Sequence, residues 1–330
     1  MLHLLFEKAL EKVNETYNTN INDILLTAFS YVLFDITGCK ANHITLEGHG
    51  REEIDSEIDV TRTLGWFTTL YPVRLEVQDS FAKSLKNIKE SLRKIPNKGI
   101  GYGTLIGYEE AELPKILFNY FGKFDEDERS IYSWKIVDED AGNWSDPSNI
   151  EKSILILNCI ITNDGFKLSV TSKFDAEVTN KVANLFKLYL EDIVRYCCDQ
   201  KRTYLTTSDI GNIISQEYLD SLQQEKEIEG VYLANSLQQG FIYHFLNQGS
   251  FDDSYKVQNI WNYNAFMNVE KLKTAWIYAQ KKYTCLRLRF SWKAELVQVV
   301  DKESSIDFRY FDISSQNNKK QAIDDIQKKR

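Results

Sequence analysis

Ile154-Leu-Ile-Leu-Asn-Cys-Ile-Ile-Thr-Asn-Asp-Gly-Phe-Lys-Leu-Ser-Val-Thr171 holds two apolar, β-branched runs on either side of Asn163-Asp164-Gly165. Asn, Asp and Gly accept positive φ cheaply, so the stretch predicts a β-hairpin with strands over 154–162 and 166–171. Val178 to Cys198 follows, with Val182, Leu185, Phe186, Tyr189, Ile193, Val194 and Cys197 at helical spacing, enough to pack along a sheet. Strand, strand and long helix in succession point to an α/β layer, and the chain upstream repeats the theme. Ile21 to Phe34 is a helix rich enough in apolar residues to be buried, opened by Thr19/Asn20 with Asp23 in its first turn. His43 to Leu46 and Pro72 to Val77 read as strands, the second turning Val73, Leu75 and Val77 inward, and Phe81 to Leu92 returns to helical spacing. Leu2 to Val13 is a further helix, with Leu2, Phe6, Ala9, Leu10 and Val13 on one stripe.

Beyond Cys198 the composition changes. Residues 201–229 are polar and read as a linker with a short helix, after which a second unit begins. There, Tyr232 to Leu246 is expected as a helix, Gln258 to Asn264 as a strand, and Val269 to Lys282 as an amphipathic helix. Cys285 to Trp292 with Leu296 to Val300 is expected as a hairpin. A charged helix from Asn317 is expected to break off at Arg330.

The 330 residues are 43% hydrophobic with only 4 Pro and 15 Gly, which excludes collagen-like and wholesale disordered chains. A net charge of -8 with no long basic run gives no footprint for a nucleic-acid backbone. The 5 cysteines lack C-x-x-C spacing and nearby histidines, so neither a metal site nor a disulfide framework is expected, and the thiols read as reduced. On the adjacent Cys197 and Cys198 a helix turns side chains ~100° apart, giving one buried and one surface thiol. Without a secretory signal or membrane-spanning run, the chain is expected in the cytoplasm, away from the membrane, and the Asn143-Trp-Ser sequon is one in form only.

Acid/base chemistry is best served at Glu47, where a carboxylate is followed by Gly48, His49, Gly50 and Arg51. The alternative is a polar turn in which Arg51 and Glu52/Glu53 pair in solvent. Trp66, Phe67 and Tyr71 would either line a channel or fill the core. Gly99 to Gly103 lacks the Gly-Lys-Ser/Thr of a phosphate loop, so a glycine-rich turn is expected. His3 and His244 read as boundary residues of amphipathic helices.

Read together, Ile21-Asn-Asp-Ile-Leu-Leu-Thr-Ala28, Glu47-Gly-His-Gly-Arg-Glu52, Arg62-Thr-Leu-Gly-Trp-Phe-Thr-Thr-Leu-Tyr-Pro-Val73, Asn97-Lys-Gly-Ile-Gly-Tyr-Gly103 and Phe118-Asn-Tyr-Phe-Gly122 occur in the order found in epimerization domains of nonribosomal peptide synthetases. Residues 1–200 resemble the C-terminal lobe of such a domain, and Leu205-Thr-Thr-Ser-Asp209 resembles its exit. Tyr232-Leu-Ala-Asn-Ser-Leu-Gln-Gln-Gly240, Tyr255-Lys-Val-Gln258, Ala275-Trp276 and Leu286-Arg-Leu-Arg-Phe290 are similar to the opening of a condensation domain, so 230–330 would be its truncated N-terminal part.

The resemblance implies an α/β, chloramphenicol-acetyltransferase-like fold whose lobes are incomplete at both ends. It implies peptidyl carrier proteins as partners, delivering 4'-phosphopantetheine thioesters, with no cofactor bound directly. Glu47, Asn119 and Tyr120 would be catalytic, with His49, Arg51, Trp66 and Tyr71 in support, Arg51 holding Glu47. Gly101, Tyr102 and Gly103 would line the substrate tunnel. The family's His-His-x-x-x-Asp-Gly motif lies in the other lobe, and none of the 4 histidines here is adjacent to another. The expectation is a segment spanning an epimerization–condensation junction, inactive without the missing N-terminal lobe and the rest of the condensation domain. The alternatives are a half that works in trans with a separate lobe, and a carrier-binding remnant without turnover.

Overall fold

The computed structural model describes residues 12–107, 112–124, 142, 146, 148–162, 165–247, 255 and 257–328. The chain divides into two compact units, Met1–Asp209 and Ile210–Arg330.

The first unit is built on a five-stranded sheet of order β2-β1-β3-β4-β5. Its strands are β1 (Ala41–Gly48), β2 (Thr69–Glu76), β3 (Ile116–Phe124), β4 (Leu155–Thr162) and β5 (Gly165–Ser172). The central pairs β1/β3 and β3/β4 are parallel, while β1/β2 and β4/β5 are antiparallel. The expected hairpin is β4–β5, closed by pairing of Thr162 with Gly165; its turn residues Asn163 and Asp164 lie outside the described residues.

Helices α1 (Ile21–Thr37), α2 (Phe81–Arg93) and α4 (Ala176–Cys198) pack with this sheet. A short helix α3 (Tyr102–Ile106) precedes β3. A capping box between Asn20 and Asp23 opens α1, and Gly38, at φ 70°, ends it in the left-handed conformation. Between these signals Ile24, Leu25, Ala28, Phe29 and Val32 are fully buried. Phe29 meets Phe118 of β3 and Phe186 of α4, and Phe186 stacks on Phe166 of β5, so aromatics tie helices to sheet. Along β4 the period of 2 is visible: Leu155, Leu157, Cys159 and Ile161 are buried, and Ile156, Asn158, Ile160 and Thr162 half-buried. Cys197 is buried and Cys198 partly exposed. The helix expected from Leu2 is seen only from residue 12, where residues 12–17 are helical; His3 lies outside the described residues, as do Asn143, Trp144 and Ser145.

Two features go beyond the sequence reading. Residues 116–124 form a central strand that the pattern of the sequence does not announce. Much of the linker is also fastened to the first unit: the Tyr204 amide donates to the Thr16 carbonyl at 2.7 Å, its ring stacks on Tyr17, and Asp209 reaches the fully buried Lys89.

The second unit contains α5 (Gln216–Glu225), β6 (Ile228–Leu233), α6 (Ser236–Asn247), α7 (Val269–Lys282), β7 (Leu288–Ser291), β8 (Val297–Asp301) and α8 (Lys319–Lys328). Its antiparallel sheet has the order β6-β8-β7. Two expectations fail in detail. Tyr232 and Leu233 end a strand before α6 begins, and residues 258–264 form none, since Ile260, Trp261 and Tyr263 lie exposed without sheet partners. Arg287, nearly buried, donates to the carbonyls of Gln280, Asp301 and Lys302 and pairs with Glu229, joining α7 to the sheet. The unit leaves much apolar surface open: no described residue of α6 is buried, and Trp261 and Phe266 are exposed. No helix of the described residues is long and apolar enough to cross a membrane.

Candidate active site

Because successive side chains of a strand point to opposite faces, Ile44 and Leu46 of β1 share one face and Thr45 and Glu47 the other. Ile44 and Leu46 enter the core, and Glu47 stands on the face away from the helices. In β3, Phe118 is buried against Phe29, so its neighbour Asn119 shares the face of Glu47. The parallel register aligns Leu46 with Phe118 and so brings the next pair together. The Asn119 side-chain amide donates to a Glu47 carboxylate oxygen. Glu47 is half-buried, and desolvation pushes its pKa above the ordinary carboxylate value despite the opposing pull of the Asn119 bond. A carboxyl group shifted toward neutrality and held by one neutral amide is equipped to accept and return a proton.

The other expected site residues are placed elsewhere. One residue after Asn119, Tyr120 packs against the core on the helix-covered face and has its pKa raised by burial. A bulge follows, with Tyr120 opposite Cys159 and Lys123 opposite Ile161, and Gly122 at φ 94° takes the turn. Arg51 does not hold Glu47. Its guanidinium donates to the carbonyls of Val60 and Thr63 and lies 4.2 Å from the centre of the Phe67 ring, so it organises the loop between β1 and β2. Nor does it pair with Glu52, which is engaged by His49 Nε2 at 2.9 Å and Lys98 Nζ at 2.9 Å. His49 also accepts from the Arg51 amide through Nδ1. Trp66 stays out of the core and is 91% exposed.

Tyr71 is buried, and burial followed by the nearby Glu52 charge raises its pKa. Its ring explains the glycines around it: a Cβ on Gly99, at φ +80°, would lie 2.3 Å from Tyr71 Cγ, and one on Gly48 would crowd Thr69 and the Tyr71 ring. Gly101 stands just before α3, and Tyr102 packs its ring partly against the core. On the helix side a crevice of about 420 Å³ is lined by Asp23, Glu52, Tyr71, Arg93 and Lys98 among others; Glu47 and Asn119 take no part in it. Sequence reasoning missed Asn158, whose place beside Asn119 is set by β3–β4 pairing, and the Lys89–Asp209 ion pair. An Asn interrupting an apolar strand was the available signal for the first.

Residues 3–212 and 228–330 match the family model described as Condensation domain. Bacitracin synthase 3 of Bacillus licheniformis is 32% identical over 334 residues, covering 95% of this chain and 5% of that protein. Bacitracin synthase 1 of the same organism is 33% identical over 333 residues, covering 95% of this chain and 6% of that protein. The chain therefore spans a small part of these relatives. Among solved structures, the epimerization domain from the third module of tyrocidine synthetase B is 33% identical with a TM-score of 0.53, over 58% of this chain and 45% of that one.

Proposed function

This chain belongs to the condensation-domain family of nonribosomal peptide synthetases and has its chloramphenicol-acetyltransferase-like α/β fold, and from that premise we propose that it spans an epimerization–condensation junction. The first unit supplies half of an epimerization site, and the second is the start of a condensation domain. The observation that carries this reading is the Glu47–Asn119 pair on the open face of the sheet, with its carboxyl pKa raised by burial.

Inverting an α-carbon requires removal of its proton on one side of a planar enolate and delivery of a proton on the other. The thioester acidifies that proton, and donors toward the enolate oxygen supply the remaining stabilisation that lets a carboxylate take it. Glu47 Oε accepts the proton from one face, and Asn119 fixes the carboxylate so that its free lone pair is aimed rather than averaged over rotamers. The second acid/base group comes from the histidine-bearing motif of the other lobe, His-His-x-x-x-Asp-Gly, which this sequence does not contain. On its own the chain is inactive. The substrate is an aminoacyl or peptidyl group on the 4'-phosphopantetheine arm of a peptidyl carrier protein, and the setting is cytoplasmic.

The test supplies the missing motif. The chain is mixed with a separately produced N-terminal lobe carrying His-His-x-x-x-Asp-Gly and an aminoacyl-pantetheine thioester in D2O, and deuterium at the α-carbon is followed by mass spectrometry. Exchange is expected only in the mixture, and Glu47→Gln is expected to lower it by about 10²–10⁴-fold. Exchange in the mixture that is indifferent to Glu47→Gln would overturn the assignment.

A further inference from the structure

The sheet register builds a row that runs past the catalytic pair. Asn119 is aligned with Asn158 of β4, and Asn158 with Ser169 of β5. On the other side Glu47 is aligned with Leu70 of β2, which is 41% exposed. Glu47, Asn119, Asn158 and Ser169 thus form a polar row across four strands, and the row turns apolar at Leu70. Asn158 belongs to the open face because its neighbours Leu157 and Cys159 are both buried at 0%. It is half-buried, and its side-chain amide makes no hydrogen bond among the described residues. An amide held on a rigid strand, partly withdrawn from water and without a partner, has a donor and an acceptor to offer a ligand.

Resting on the reading of Glu47 as the acid/base group, we propose that Asn158 is a specificity residue that selects peptidyl over aminoacyl thioesters by hydrogen bonding the peptide group one residue upstream of the reacting residue's own amide. Strands stand about 4.8 Å apart, so Asn158 lies about 10 Å along the row from Glu47. An α-carbon set at Glu47 has its own amide nitrogen one bond away, and the next peptide unit falls several ångströms further on, within reach of the Asn158 amide. Polarity fixes the direction: a peptide extends along Asn119, Asn158 and Ser169, and the substituent that tolerates an apolar neighbour faces Leu70. A free aminoacyl group is too short to reach Asn158. The side chain of Asn is an amide like the peptide group and can donate through its NH2 or accept through its carbonyl oxygen.

The experiment measures binding on the full chain, so it does not need turnover. Unreactive pantetheine amides of one amino acid and of the N-acetylated dipeptide ending in it are titrated by ligand-observed NMR against wild type, Asn158→Leu and Asn158→Gln. Wild type is expected to favour the dipeptidyl compound, and Asn158→Leu to weaken that compound about 10-fold, the worth of one hydrogen bond of about 1.4 kcal/mol, leaving the aminoacyl compound unchanged. Asn158→Gln restores part of the preference. A purely structural role would weaken both compounds alike, and that result, or a wild type without preference, overturns the inference. The deuterium exchange assay separates the two readings. Loss of exchange in Glu47→Gln with an unaltered binding ratio in Asn158→Leu sinks the inference alone. An altered ratio with exchange indifferent to Glu47 sinks the reading of Glu47 and keeps the peptide contact.

Discussion

Replacing Lys89 by Met tests how the first unit is closed. The Lys89 ammonium, fully buried, donates to Asp209 Oδ2 at 2.5 Å and to the Tyr17 carbonyl at 2.8 Å. Asp209 accepts in addition from the Thr206 amide and hydroxyl and from Asn18 Nδ2. Methionine keeps much of the stem volume and removes the charge, stranding a buried carboxylate. Breaking a buried pair costs about 3–5 kcal/mol, and the three donors left to Asp209 put the expected loss near the lower end, about 3 kcal/mol. At about 2–4 °C per kcal/mol for a unit of this size, calorimetry should find the melting transition of the first unit about 6–12 °C lower. Adding Asp209→Asn removes the stranded charge, so the double variant is expected to lose less than the sum of the singles. The pH dependence has a definite sign. Burial holds the Lys89 pKa below the ordinary 10.5, so the unfolded chain binds more protons in that interval and wild-type stability rises with pH across it. Lys89→Met lacks that rise. A melting temperature within about 1 °C of wild type, which is less than about 0.5 kcal/mol, would refute the claim that this pair clasps residues 203–209 to the unit.

Gly99→Ala places a methyl 2.3 Å from Tyr71 Cγ at a left-handed φ, and urea unfolding should show a loss of about 3 kcal/mol or more from overlap and backbone strain together. Glu47→Gln should stabilise the first unit: the folded pKa of Glu47 is raised, so its charged form costs stability above that value. Thermal melts should therefore show the variant ahead at pH 8, with the gap closing as pH falls through the raised pKa toward 4. The exposed Trp261, Phe266 and open face of α6 should bind a hydrophobic dye and drive self-association at tens of micromolar, and a monodisperse monomer in sedimentation would count against this.

The elements that were legible carry their signals locally. Asn20 opens α1, Asn-Asp-Gly stands in sequence between β4 and β5, and Val73 and Leu75 alternate with Arg74. The strand β3 was not legible, because Phe118, Asn119, Tyr120 and Phe121 set aromatic residues on both faces and the bulge at Gly122 interrupts the period. Its partner β1 lies some 70 residues away, a relation no local pattern encodes. The fastening of residues 203–209 to the first unit was hidden for the opposite reason. Thr206, Thr207, Ser208 and Asp209 look solvated by composition, but their polar groups are spent on Lys89 and Glu90 inside the unit. Glu47 was legible as an acid/base candidate from its setting, and Asn119 only through resemblance, since nothing near Glu47 in sequence announces a partner from β3.

The misplacement of Arg51 bears on the chemistry. Spacing alone sets a guanidinium four residues from Glu47, and such a neighbour within about 4–6 Å would lower a carboxylate pKa by about 1–3 units. A carboxylate stabilised in that way would be a poorer proton acceptor and a still poorer donor for the return step. Instead the guanidinium is occupied by the carbonyls of Val60 and Thr63 and by the Phe67 ring. Gly50 makes this possible, because at φ +63° its Cβ position lies 1.6 Å from the Phe67 carbonyl oxygen, and any side chain there would push the two ends of the loop apart. The loop thus keeps the cation away from the carboxyl group whose motif it belongs to. What remains beside Glu47 is a neutral amide on an adjacent strand and partial burial, the combination that raises its pKa while holding its orientation. If Glu47 is the acid/base group proposed above, the glycine and arginine that follow it serve by what they prevent, and the pairing of β1 with β3 supplies the geometry.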